Sequence, residues 1–136
     1  MPKKKSTANA NVEKKKRNLS RNRQRGHDYE RKIAKELREL GFTGICTSRS
    51  ESKSMDDKKI DLIDTEDKLP CYIQLKATMK TPDYFSISKA CPLKNKPFIV
   101  IWSKIKSTES TFRSEGEIVM IPKEFFYELI KHYGKL

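Results

Sequence analysis

Four side chains in the 136-residue sequence could do chemistry together. Asp61 interrupts the apolar run Ile60, Leu62, Ile63, where a carboxylate is costly unless it is paired or bound to a cation. Gln74 and Lys76 stand two apart in the segment Cys71–Ala77, so on a strand they project from one face. Glu30 precedes Ile33 and Ala34 by three and four positions, which on a helix sets it at the border of the apolar face. An acid or two, a side-chain oxygen and an ammonium are the parts that phosphodiester hydrolysis needs. Oxygen ligands hold Mg²⁺, the ion lowers the pKa of a bound water, and a cation stabilises charge on the phosphorane-like transition state. A neighbouring lysine can position that water or help deprotonate it.

The elements that must position these residues can be read from the spacing of apolar side chains. Tyr29, Ile33, Leu37 and Leu40 recur at helical intervals, predicting a helix over 26–40 that Gly41 ends. Residues 42–49 read as a strand and 50–58 as a polar loop. Residues 59–64 form a strand, with Ile60 and Leu62 on one face and Asp61 and Ile63 on the other. Cys71, Ile73 and Leu75 alternate with Tyr72, Gln74 and Lys76, so 71–77 and 59–64 make an antiparallel hairpin. Residues 78–97 are ambiguous, broken by Thr81-Pro82-Asp83 and Pro92. Residues 98–105 are the most apolar strand and the expected centre of the sheet. A polar loop over 106–116, a short strand over 117–121 and a helix opened by Pro122 complete the order. Phe125, Phe126, Leu129, Ile130 and Tyr133 form a stripe on that last helix and are expected in the core, as is Trp102. The fold class is α/β or α+β: a single domain with a mixed central sheet flanked by helices.

Charge divides the chain differently. Lys and Arg total 30 against 18 Asp and Glu, a formal net charge of +12. Residues 1–25 hold ten of those cations and one acid, with Val12 and Leu19 as the only large apolar side chains. Such a segment cannot bury enough surface to offset chain entropy and is expected to be a disordered basic arm, leaving 26–136 as the folded domain. Basic arms bind phosphate backbones without reading sequence. The candidate nucleic-acid contacts are Lys3, Lys4, Lys5, Lys14, Lys15, Lys16, Arg17, Arg21, Arg23 and Arg25, joined by Ser48 and Arg49. Asp56 and Asp57 are candidate accessory acids or simply a solvated loop. No stretch approaches the ~20 apolar residues of a membrane span, and no apolar leader is apparent. Cys46, Cys71 and Cys91 are odd in number and widely spaced, which argues against a disulfide framework and for a reducing cytoplasm. Five glycines with no Gly-rich phosphate loop give no sign of a nucleotide cofactor pocket.

A glutamate on the first helix, an aspartate on a strand and Gln74-Leu75-Lys76 on the paired strand resemble the PD-(D/E)xK nuclease superfamily. Within it the pattern is most similar to the archaeal and phage Holliday-junction resolvases. Arg25-Gly26-His27-Asp28-Tyr29-Glu30 mirrors their opening motif, and Ser48-Arg49-Ser50 mirrors the serine-containing loop ahead of the strand aspartate. The resemblance covers residues 25–133 and implies a restriction-endonuclease-like fold. It implies Asp61 as main metal ligand, Glu30 as outer or second ligand, and Lys76 as the group that orients or activates water. Two positions depart from the pattern. Ile60 stands where proline is usual. Gln74 replaces the acid of the triplet; its amide oxygen can join the metal ligands but brings no charge, so metal affinity should fall. The implied activity is a Mg²⁺-dependent endodeoxyribonuclease, with Mn²⁺ able to substitute, cutting branched DNA as a homodimer. It would work in a cytoplasm, or in a virion and its host if phage-encoded. The competing expectation is a catalytically silent nuclease fold that binds DNA or joins a larger nucleoprotein or virion assembly.

Overall fold

The computed structural model describes residues 7–51, 58–108 and 111–135. The elements run α1 (Thr7–Glu39), β1 (Ile45–Thr47), a single helical turn α2 (Ser48–Glu51), β2 (Leu62–Asp64), β3 (Tyr72–Thr78), α3 (Tyr84–Ala90), β4 (Phe98–Ser107), β5 (Phe112–Met120) and α4 (Lys123–Tyr133). Five strands form one sheet in the order β1-β2-β3-β4-β5. All neighbours are antiparallel except β3 and β4, which run parallel through α3. The sheet is therefore mixed and the domain α/β.

Apolar side chains leave the sheet on both faces. Tyr29, Ile33 and Ala34 of α1 pack with Ile45, Leu62, Ile73, Leu75 and Ile99, and Phe125 of α4 joins them. On the other face Ile60, Cys91, Phe98 and Val100 bury against Tyr84 and Ile87 of α3. The alternation along β3 and β4 feeds the two layers in turn, as strand geometry requires. β3, not the more apolar β4, is the central strand. Trp102 is buried, as expected of a core residue, and its indole donates to the Thr78 carbonyl at 3.1 Å.

Local signals explain several boundaries. Gly41 has φ 114°, and the Phe42 amide donates to the Leu37 carbonyl while Gly41 donates to Arg38. That is the left-handed cap that ends α1. Asp83 caps α3, accepting the Ser86 amide at 3.3 Å, so the Thr81-Pro82-Asp83 break is a helix start. Pro122 sits at the N-cap of α4, one position ahead of the first turn.

Other boundaries moved. α1 begins at Thr7, far ahead of Gly26, so residue 25 is no break in secondary structure. Apolar spacing marks only the half of a helix that packs, and the basic half carries no such stripe. The strand expected over 42–49 is confined to Ile45–Thr47 and turns into α2. Ile60 and Leu62, expected on one face, bury on opposite faces. Lys59 has φ 66° and the regular strand starts only at Leu62, so the two-residue period does not apply across Asp61. β5 begins at Phe112 within the expected polar loop; its side chains are exposed almost throughout, and pairing with β4 forms it. On α4 only Phe125 is buried and Leu129 packs on the core. Phe126, Ile130 and Tyr133 stay exposed.

Candidate active site

The sheet forks where β2 leaves β3. Only Leu62 pairs with Ile73 in that ladder, and the Asp61 amide donates to the Ile73 carbonyl at 2.9 Å. One step further, Asp61 Oδ2 accepts the Leu75 amide at 2.7 Å. The carboxylate thus takes the N–H that a continuing strand would have taken. The Asp61 carbonyl in turn accepts the Ser48 amide at 2.8 Å. Three backbone contacts fix Asp61 at a buried position, 7% exposed.

Gln74 and Lys76 extend from β3 in register with Val100 and Trp102 of β4. Gln74 is buried at 6% exposure, and its Oε1 has no hydrogen-bond partner among the described residues. A buried oxygen left without a donor costs about 1–3 kcal/mol, so a group that meets it would recover that cost. Lys76 is half-buried. Glu30 approaches from α1, deep inside the helix and far from its first turn, which removes a helix-dipole explanation for an acid there. Its Oε2 accepts Arg49 Nε at 3.2 Å, with the Glu30 side chain 13% exposed. Nearby Lys32 pairs with Glu117 at 2.9 Å, tying α1 to β5. Burial, and next the charge of Glu117, push the Tyr29 phenol well above its ordinary pKa.

Glu30, Asp61, Gln74 and Lys76 line one open cleft of about 690 Å³. Two carboxylates and an orphaned amide oxygen form a hard-oxygen donor set that fits a divalent cation. The ammonium of Lys76 stands beside it. Among the described residues no group of three or more His, Cys, Asp or Glu is gathered to hold a metal ion, here or elsewhere.

Of the expected nucleic-acid contacts, Arg21 and Arg25 line this cleft and Arg23 is exposed on the same helix. Arg49 holds Glu30. Ser48 is fully buried, so here its side chain meets protein and its amide pins Asp61. Lys3, Lys4, Lys5, Asp56 and Asp57 lie outside the described residues, as do the side chains of Lys14, Lys15, Lys16 and Arg17. Sequence reasoning passed over Asn22, Lys80 and Phe112, which also line the cleft. Phe112 lay in a segment read as loop, with no periodicity to mark it. Among the described residues no helix is long and apolar enough to cross a membrane.

In comparisons with known proteins, the model of the family described as archaeal Holliday junction resolvase (Hjc) matches residues 21–112, about two thirds of the chain. No curated protein and no solved structure matches.

Proposed function

The chain belongs to the archaeal Holliday junction resolvase family of PD-(D/E)xK nucleases, metal-dependent endonucleases that cut branched DNA, and on that premise we propose that the cleft at the β2–β3 fork is its active site. Asp61, Glu30 and Gln74 would hold the divalent metal, Mg²⁺ by preference. The observation that carries this reading is the convergence of those three oxygen-bearing side chains with Lys76 on one cleft.

Each residue has a distinct task. Asp61 presents its carboxylate in an orientation set by the Leu75 amide. Glu30 adds the second negative charge once Arg49 yields it. Gln74 adds an oxygen dipole without charge. When bound, a divalent ion offsets charge on the phosphate and supplies a more acidic water for attack at phosphorus. Lys76 orients that water and stabilises the negative charge that develops on the phosphate oxygens. Losing a group of this kind costs about 10²–10³-fold in rate.

Branched DNA as substrate and a homodimer as the assembly come from the family, and charge and exposed surface bear on both. Arg21 and Arg25 carry the DNA backbone into the cleft, and the basic segment ahead of residue 26 grips phosphates outside it. A four-way junction presents two equivalent scissile strands, which a two-fold homodimer would match. The exposed apolar side chains Phe126, Ile130 and Tyr133 of α4 support such a pairing.

The neutral Gln74 gives the test. Metal titrations of junction cleavage should show wild type needing more Mg²⁺ than Mn²⁺, since Mn²⁺ is less strict in geometry. Gln74→Glu should lower the metal concentration for half-maximal cleavage and Gln74→Ala should raise it. If all three proteins titrate alike, Gln74 is not a metal ligand. If none cuts under any condition and none gives calorimetric Mn²⁺ heat, the cleft is not the active site.

A further inference from the structure

Phe112 is half exposed, at 51%, and belongs to neither core cluster. It opens the edge strand β5 and lines the same cleft as Asp61 and Lys76. The guanidinium of Arg25 lies over its ring, 4.7 Å from the centroid. Arg25 Nη2 donates to Asn22 Oδ1, while Arg25 Nε is buried and has no acceptor among the described residues. The cleft therefore has two ends. Glu30 and Asp61 supply negative charge at one. Arg25, Arg21 and Lys80 supply cations at the other, around an aromatic ring and a donor without an acceptor.

A carboxylate end with a cationic, aromatic end suits a nucleotide strand laid along the cleft. We propose that Arg25 and Phe112 form a nucleotide subsite beside the scissile phosphate: Phe112 stacks on an unstacked base, and the Arg25 guanidinium pairs with a phosphate of the same strand. This rests on the cleft being the nuclease site. The arginine covers part of the ring and fixes its orientation, leaving the exposed part for the base. Stacking on an aromatic ring tolerates any base, because every base has a π-face. Unstacking costs least where continuous stacking is already interrupted, as between the arms at a branch point. The subsite would therefore favour branched over continuous duplex DNA without reading sequence.

The test uses the full chain carrying Asp61→Asn, which binds junctions without depending on cleavage, and a four-way junction with 2-aminopurine next to the scissile phosphate. Binding should change the 2-aminopurine fluorescence. Adding Phe112→Ala should abolish that change and weaken junction binding about tenfold, while Phe112→Trp should restore both. Arg25→Lys should weaken binding but keep the fluorescence change. With Asp61 intact, Phe112→Ala should raise the junction concentration for half-maximal cleavage. An undiminished fluorescence change in the Phe112→Ala protein would overturn the proposal. So would equal affinity of the Phe112→Ala and Phe112-intact proteins for the junction. Cleavage by the Asp61→Asn protein would instead strike the active-site reading, and the binding readouts would still decide the subsite.

Discussion

Asp61 has two jobs that substitution can separate. Its carboxylate carries charge to the cleft and also accepts the Leu75 amide. Asp61→Asn keeps an oxygen for that amide, so it should preserve the melting temperature while cutting junction cleavage by about 10²-fold or more. Asp61→Ala should lose cleavage to the same degree and also destabilise the fold by about 1–3 kcal/mol, because a buried N–H is left unpaired. Differential scanning calorimetry beside a cleavage assay separates the effects; equal stability of the two variants would mean that the Leu75 contact matters little. Arg49 offers a second test. Its guanidinium occupies the carboxylate of Glu30, so cation and metal compete for one group. Arg49→Gln should tighten Mn²⁺ binding to the free protein and loosen junction binding, both measured by calorimetry. Unchanged Mn²⁺ affinity would show that the ion pair does not compete. Asp61 stood out in the sequence as a carboxylate within an apolar run, and Glu30, Gln74 and Lys76 stood out only by their spacing from it on the expected elements. The Arg49–Glu30 contact and the place of Phe112 did not, since both depend on how distant segments meet.

Between residues and molecule stand the elements that hold the fork open. Asp64, at the end of β2, accepts the amides of Glu66, Lys68 and Leu69 at 3.0, 2.6 and 2.9 Å. Partial burial raises its pKa, but the three amides outweigh that and hold it below the usual carboxylate value. A pKa lowered by folding gives stability that is present above the unfolded value near pH 4 and is lost as pH falls through the folded one. Asp64→Ala should therefore cost about 1–2 kcal/mol in urea unfolding at pH 7, and the gap from wild type should close at about pH 3 and below. A gap of the same size in acid would contradict the carboxylate's role. Hydrophobic period located the strands that bury a face and the packed half of α1. It placed the strand at 117–121 but missed the first half of β5, an edge strand exposed on nearly every residue, and the start of α1, where basic side chains carry no stripe. The bend at Lys59 broke the alternation that would have kept Ile60 and Leu62 on one face.

At the scale of the molecule, charge and apolar surface are segregated. Residues 1–18 carry seven Lys and Arg. Their removal should make the salt dependence of junction binding shallower by up to about 0.9 per lost phosphate contact, without moving the incision site. An unchanged slope would exclude these residues from DNA binding. The apolar face of α4 bears on assembly. Ile130→Glu with Phe126→Glu should shift a dimer to monomer in sedimentation velocity and leave the far-ultraviolet circular dichroism unchanged, because both side chains are near half exposed, at 45% and 47%. A dimer that survives both charges must use another surface. The stripe on α4 was visible in the sequence, but a stripe tells only that a face needs a cover and not which surface provides it. The assignment of the cleft as a junction-cutting active site is tested most directly by incision of a four-way junction, each strand labelled in turn, by wild type and Asp61→Asn with Mg²⁺ or Mn²⁺. Wild type should make metal-dependent cuts at symmetry-related positions on two opposite strands and cut linear duplex little, and the Asp61→Asn protein should make none of these cuts. Equal cutting by the two proteins, or no cutting of the junction by wild type with either metal, would contradict the assignment.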